Sequence, residues 1–208
     1  MSSYESDVDF PPLRRVFQIG IGIMLLGALA AILRISKLKE ILPYDNIIRS
    51  TVFLTVYSGD RVANGTGVVI KDSQRIITAG HMLDDVNMVE VTEITGSAYL
   101  LDDWHKQQVR DIGYITFVNE VDVGVEVSTA PITVGDAVWL CGHIAGDEYA
   151  WSLTHGIISR VVGDEIYTDC AGYPGCSGGG LFTKDGKLIG IIVQGSPGVI
   201  TKALRITQ

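Results

Sequence analysis

From residue 50 onward, apolar and polar positions change on a short beat. STVFLTVYSG, GTGVVIKDSQRIITA, VNMVEVTEITGSAYLL and DIGYITFV precede Pro131, and DAVWLCGH, SLTHGIISRVV, EIYTDC, GLFTKDGKLIGIIVQG and GVITKALRI follow it. These runs are rich in Val, Ile and Thr, and the breaks between them carry Gly, Asp, Ser or Pro, the residues that turn a chain. No 3.6-residue period is sustained, so the pattern predicts an all-β body of about twelve short strands in a barrel or sandwich. Asp185-Gly186 separates a short strand from a strongly apolar one and predicts a tight hairpin. The acidic stretch 119–130 predicts a joint between two halves, one at about 49–125 and the other at about 130–208.

The first fifty residues follow a different pattern. Val16–Leu33, VFQIGIGIMLLGALAAIL, holds no charge and one polar side chain, Gln18. At about 1.5 Å per residue it reaches roughly 27 Å, close to the ~30 Å hydrocarbon core of a bilayer. It is apolar on every face, unlike the helix of a soluble domain. The expected organisation is a tail at 1–15, one transmembrane signal anchor at 16–34, a linker at 35–48 and a β-rich domain at 49–208. Ala28-Leu29-Ala30 also offers a small-x-small cleavage site, so a secreted chain with its leader removed is the competing expectation. Arg14 and Arg15 stand against Arg34, Lys37 and Lys39 across the span, a weak asymmetry. The expected placement has the N-terminus inside and the β-domain on the outer, periplasmic or extracytoplasmic side.

Composition narrows the partners. With 47% apolar and 19% charged residues, the chain has enough apolar side chains for a sizeable core. Residues 1–48 carry five basic and five acidic side chains, so the whole net charge of −8 falls on the β-domain. Such a domain has no basic stripe with which to neutralise phosphates, which argues against a nucleic-acid partner. Cys141, Cys170 and Cys176 form no disulfide framework and no metal-spaced pair, and are expected to be buried thiols. The four histidines are scattered singly, so neither a metal site nor another cofactor is expected.

Acyl transfer by a serine needs a hydroxyl, a base, a group that orients the base, and backbone donors for the developing oxyanion. His81 in IITAGHM, Asp111 in RDIGYITF and Ser177 in GCSGGG supply a candidate for each side chain. Asp102 and Asp103 are rival partners for His81, but only Asp111 opens an apolar β segment, whereas LLDDWHKQQ reads as a solvated turn. Glycines around Ser177 have a purpose, because a backbone that aims two N–H groups at one point needs torsions a Cβ obstructs. Gly175 and Ser177 are the candidate oxyanion donors.

Taken in order, TAGH, DIGYI and GCSGGGLF resemble the motifs of chymotrypsin-fold serine peptidases. GTGVVI, RIITAGHML, VGDAVWLCGH, HGIISRV, YTDCAGYPGCSGGGLF and DGKLIGIIV are similar, in sequence and spacing, to the HtrA/Deg-type branch, over about residues 50–208. The resemblance implies two perpendicular Greek-key barrels of six strands with the site between them. It also implies Ser177 as nucleophile, His81 as general acid and base, Asp111 as its orienting partner, and Gly175 with Ser177 as oxyanion hole. Ala171 and Gly172 on one side, with Ile192, Val193 and Gly195 on the other, are the expected substrate-binding residues. They place no charge in the primary pocket, so small or medium apolar side chains are expected before the scissile bond, and Val193–Gly195 is expected to bind substrate backbone as an added strand.

The sequence departs from the family pattern at three places. Gly80 stands where Ala is usual, an expected tolerable loss of one methyl, and Gly180 stands where Pro is usual, expected to loosen the strand start. Cys176 replaces the residue that in secreted relatives pairs with a newly cut N-terminus, so activity without zymogen cleavage is expected. As neighbour rather than holder of the nucleophile position, Cys176 is expected to point away from the cleft. His143 and His155 resemble turn positions and His105 a surface residue. The chain stops at Gln208, so regulation by an appended PDZ domain in cis is not expected, and a homo-oligomer has no signal in the sequence. The expected function is a membrane-anchored serine endopeptidase acting on proteins or peptides, with a catalytically weak peptide-binding module as the alternative of a different class.

Overall fold

A computed structural model describes residues 44–208 except 120, 146–147, 196–199 and 207–208. The expected tail, transmembrane segment and linker up to residue 43 lie outside the described residues. Among the described residues, no helix is long and apolar enough to cross a membrane. Residues 44–48, inside the expected linker, belong instead to a short helix over 44–50, α1, whose Ile47 is fully buried.

Twelve strands follow: β1 (Thr51–Ser58), β2 (Arg61–Ile70), β3 (Arg75–Ala79), β4 (Met88–Thr92), β5 (Leu101–Lys106) and β6 (Ile112–Phe117), then β7 (Ala137–Ile144), β8 (Tyr149–Val162), β9 (Glu165–Thr168), β10 (Gly180–Thr183), β11 (Leu188–Gln194) and β12 (Thr201–Arg205). The first six form one antiparallel sheet in the order β4-β1-β2-β3-β6-β5. The other six close into a barrel, β10-β11-β12-β9-β8-β7, with β7 returning to pair with β10. Alternation sets which side chains turn inward: Val52, Leu54 and Val56 of β1 are buried, as period-two patterning requires. β11 is nearly continuous in apolar residues and is buried on both faces over Leu188–Ile192.

Among the described residues there are three apolar clusters. One fills the first sheet around Leu54, Ile76 and Phe117, and one fills the second barrel around Leu140, Ile158 and Leu181. The third lies between them, where Ile47, Val68, Ile77 and Ile112 meet Cys141, Phe182, Leu188 and Ile206. Each such fully buried aliphatic or aromatic side chain contributes about 1.5–3 kcal/mol. Apolar packing therefore holds the first sheet against the barrel, and Tyr44, Ile47 and Ile48 of α1 sit in that seam. Residues 121–130 join the halves by pairing with both. Val125 exchanges backbone hydrogen bonds with β2 and its end, Val125 N–H to Val69 C=O at 3.0 Å and Lys71 N–H to Val125 C=O at 3.0 Å. Ser128 N–H then donates to Leu188 C=O at 2.8 Å.

The Asp185-Gly186 hairpin forms between β10 and β11, with Gly186 at φ +82° and its N–H on Thr183 C=O at 3.0 Å. Gly180 differs from expectation. It is buried, and the ring of Phe182 lies over it with Cε2 about 2.5 Å from where a Cβ would stand. The glycine does not loosen the strand; its missing side chain is replaced by a neighbour's ring, which proline would displace.

Candidate active site

β3 ends at Ala79 and the chain turns through a short 3₁₀ segment, Gly80–Leu83, which presents His81 at the surface while Met82 and Leu83 are buried. β6 runs beside β3, pairing Ala79 with Ile112, so Asp111 arrives directly opposite the histidine turn. Its carboxylate holds His81 twice: the His81 backbone N–H reaches Oδ1 at 2.6 Å and the ring Nδ1 lies 2.8 Å from Oδ2. A carboxylate only accepts, so Nδ1 carries the hydrogen and the neutral ring keeps its lone pair on Nε2. A Cβ on Gly80 would stand 3.0 Å from Asp111 Oδ1 and 2.9 Å from Ile112 N. The space of the methyl expected to be missing is thus taken up by Asp111 itself.

The rivals stand elsewhere. Asp102 and Asp103 are exposed residues of β5 rather than of a turn, and neither bonds His81. His105, also on β5 and exposed, stacks on Tyr114 with centroids 5.5 Å apart. His143 and His155 are strand residues of β7 and β8, not turn positions.

Ser177 sits between two tight turns, Cys176 N–H to Tyr173 C=O at 3.0 Å and Gly179 N–H to Cys176 C=O at 2.8 Å. Gly175 and Gly178 hold φ of +97° and +87°, a region that favours glycine. Every carbonyl from Pro174 to Ser177 is held from outside or within the loop: Pro174 C=O by Ala145 N–H at 2.9 Å, Gly175 C=O by the Thr66 hydroxyl at 2.8 Å, Cys176 C=O by Gly179 and Ser177 C=O by Thr66 N–H at 2.8 Å. Among the described residues, the N–H groups of Gly175 and Ser177 have no acceptor, whereas those of Cys176, Gly178 and Gly179 do. The loop therefore keeps two amide donors unspent beside the serine.

Ser177 meets the histidine side of the molecule through the first sheet. A Cβ on Gly65 would stand 3.0 Å from Met82 Sδ and 3.2 Å from Ser177 C=O, so the residue after His81 and the serine backbone flank the same strand. No hydrogen bond joins Ser177 Oγ to His81 among the described residues; the histidine–aspartate link is made and the serine–histidine link is not. Such contacts are often long in ligand-free enzymes and tighten with substrate. Cys176 is fully buried, and burial raises its thiol pKa, so its sulfur is withheld from the cleft. Cys141 and Cys170 are likewise buried free thiols, and burial pushes Cys141 up to about 12.

Of the expected substrate-binding residues, Gly172 and Gly195 touch. A Cβ on Gly195 would lie 2.7 Å from Gly172 C and 3.1 Å from Tyr173 N, so the two expected walls approach to backbone contact. Ala171 is exposed, Ile192 is buried and Val193 is half-buried. β10 leaves β11 after the Gly180–Ile191 pair, so Val193 and Gln194 face an open groove lined also by Val109, Arg110 and Asp111. Sequence reasoning missed Thr66, Thr201 and His143. Thr201 donates to Cys170 C=O at 2.8 Å and packs under Gly172. Only Thr66 had a signal, its place between two glycines in GTGVVI.

His143 is fully buried and its pKa is pushed down by burial from an ordinary 6.5 to about 4. The folded state thus holds it neutral while the unfolded chain protonates it below 6.5. Its contribution is complete above pH 6.5 and is lost as pH falls to about 4, by about 3 kcal/mol. Urea unfolding at pH 7 and pH 4.5 should show a smaller loss of stability in His143→Phe than in the native chain. Equal losses would show that another group carries the dependence.

The chain matches the family described as trypsin-like peptidase domain over residues 65–191. It is 29% identical over 158 residues to a probable periplasmic serine endoprotease DegP-like of Chlamydia muridarum, covering 65% of this chain and 30% of that protein. It is 28% identical over 165 residues to the serine protease Do-like HtrA of Lactobacillus helveticus, covering 68% and 39%. The chain thus spans roughly a third of the length of these curated relatives. Among solved structures, the fold is similar to the Rv3671c protease from M. tuberculosis in its active form, with a TM-score of 0.70 at 17% identity, covering 78% of each chain. It is also similar to a serine endoprotease from Yersinia pestis, with a TM-score of 0.67 at 23% identity, covering 78% and 62%. With its two six-stranded sheets and this match over more than half of its length, the chain belongs to the family described as trypsin-like peptidase domain.

Proposed function

We propose that the chain is a serine endopeptidase acting on proteins or peptides, with Ser177 as nucleophile, His81 as general base and then acid, and Asp111 as the group that orients and electrostatically supports the imidazole. The observation that carries this reading is the doubly held His81–Asp111 pair beside a loop with two unspent amides. As Ser177 Oγ adds to the peptide carbonyl, its proton passes to His81 Nε2, and the Gly175 and Ser177 N–H groups receive the oxyanion. His81 then gives that proton to the departing amine, leaving an acyl-enzyme that water hydrolyses by the same route. Asp111 stays ionised throughout.

Substrate backbone extends β11 at Val193–Gly195, and the side chain before the scissile bond enters between Ala171–Gly172 and Ile192. The approach of Gly195 to Gly172 favours small apolar side chains there. The anchor at 16–34 holds the peptidase body at the outer face of a membrane, so the substrates are extended segments of proteins near that surface.

A fluorophosphonate probe tests the centre of this reading. It should label the full-length protein, and neither labelling nor casein hydrolysis should survive Ser177→Ala. Hydrolysis equal in the two proteins would remove the reading. Peptide binding without hydrolysis would make the cleft a binding module, and recovery of the chain in the soluble fraction would remove the anchor alone.

A further inference from the structure

Thr66 of β2 contacts the serine loop with two of its polar groups and is tied to β3 by a third. Its N–H holds Ser177 C=O at 2.8 Å, its hydroxyl lies 2.8 Å from Gly175 C=O, and its own C=O receives the Thr78 hydroxyl at 2.7 Å. One buried residue of the first sheet therefore fixes the carbonyls of both residues whose amides are unspent. Gly175 lies between two peptide units, and both are anchored: Pro174 C=O by Ala145 and Gly175 C=O by Thr66. A glycine at φ +97° has no Cβ to resist rotation, so its torsions are held by those two bonds together with the bond of Cys176 N–H, on the same peptide unit as Gly175 C=O, to Tyr173 C=O at 3.0 Å.

The hydroxyl of Thr66 has one hydrogen and two lone pairs. The backbone N–H of His143, on β7 of the other sheet, points at it from 3.1 Å, and His143 Nδ1 lies 3.0 Å away. If the hydroxyl gave its hydrogen to Nδ1, the 2.8 Å approach to Gly175 C=O would set two acceptors against each other. The consistent arrangement has Nδ1–H and the backbone N–H both donating to Thr66 Oγ1, whose hydrogen goes to Gly175. The imidazole then bears its lone pair on Nε2, which is buried and has no partner among the described residues. Phe53 and Trp151 pack edge-on to the ring at centroid distances of 4.9 and 4.8 Å, and Trp151 is itself tied to Thr51 C=O by its indole N–H at 2.8 Å. The ring's orientation is thus set by apolar packing, and its unpartnered nitrogen makes it a costly choice for packing alone.

We infer that Thr66 and His143 are positioning residues: the imidazole directs the single hydrogen of the Thr66 hydroxyl to the Gly175 carbonyl, and that bond keeps the Gly175 amide aimed at the reacting oxygen. This rests on the peptidase reading above. Because Thr66 and His143 belong to different sheets, the aim of the amide also depends on the seam between the two halves.

The test measures peptide hydrolysis, inhibition by a peptide boronate and thermal unfolding in His143→Phe, Thr66→Val and Thr66→Ser. His143→Phe keeps a ring between Phe53 and Trp151 and removes both the donor and the buried lone pair, so a packing role predicts unchanged activity. The positioning role predicts a kcat lower by about 10- to 100-fold, below the 10²–10³ of an outright lost donor, with KM changed less than about threefold. Boronate affinity should fall by the same factor as kcat, and Thr66→Ser should recover most of the loss seen in Thr66→Val. Folded His143→Phe with native kcat overturns the inference, as does a folded Thr66→Ser as impaired as Thr66→Val. If Thr66→Val does not fold, His143→Phe decides alone. A native protein that neither hydrolyses peptides nor takes the fluorophosphonate overturns the peptidase reading and this inference together, whereas native activity with unaffected variants overturns only the latter.

Discussion

Asp111→Asn should lower kcat for peptide hydrolysis by about 10⁴-fold with little change in KM or stability, by the precedent of this arrangement in other serine peptidases. The reason lies in the two bonds that Asp111 makes. An amide in place of the carboxylate must turn its oxygen to the His81 backbone N–H, since its NH₂ would oppose another donor there. The NH₂ then faces Nδ1 and can only donate to it. His81 is forced to carry its hydrogen on Nε2, so in the proposed mechanism it has no lone pair with which to take the Ser177 proton. The geometry survives and the chemistry stops. Initial rates with a chromogenic peptide, alongside a urea titration, check both halves of this expectation. A variant within tenfold of native would mean that the carboxylate does not set the tautomer.

Gly178→Ala should be among the most destabilising single methyl additions in the molecule. At φ +87° an alanine is strained, and its Cβ would overlap the Thr66 carbonyl and the Thr78 hydroxyl, which are already bonded to each other at 2.7 Å. Gly178 N–H is committed to Ile192 C=O at 2.8 Å, so the residue has no direction in which to retreat. Left-handed strain of about 1–2 kcal/mol and overpacking of about 1–3 kcal/mol give a cost of roughly 2–5 kcal/mol. That is a large share of a stability of about 5–15 kcal/mol. Gly59→Ala separates the two causes, because Gly59 has φ +57° with nothing within 4 Å of its Cβ position. Urea midpoints should show a distinctly larger loss at Gly178. A loss no greater than that of Gly59→Ala would mean that the two sheets can part at this seam without cost.

How far the sequence was legible depended on the range of the interaction. Strand period is local: Val52, Leu54 and Val56 alternate in sequence and turn inward in space. The Asp185-Gly186 turn is local too, since φ +82° at Gly186 is a property of the glycine. His81, Asp111 and Ser177 could be singled out because each lies in a run whose residue types suit one chemical role, even though 30 and 66 positions separate neighbours in that set. Gly180 misled for the opposite reason. Its effect depends on the ring two residues on, and nothing in GGLF says that Phe182 folds back over the glycine.

The sequence by itself determined the β character, the count of strands and the family, and it nominated three side chains suited to acyl transfer. Only the tertiary structure decided that Asp111 rather than Asp102 or Asp103 holds His81, that Gly195 closes on Gly172, and that Thr66 and His143 meet over the Gly175 carbonyl. Periodicity and turn chemistry act between residues a few positions apart, so the chain spells them out. Thr66 and His143 lie 77 positions apart in different sheets. Their meeting follows from how the two apolar faces settle against each other, a sum over many weak contacts that no short stretch of sequence encodes.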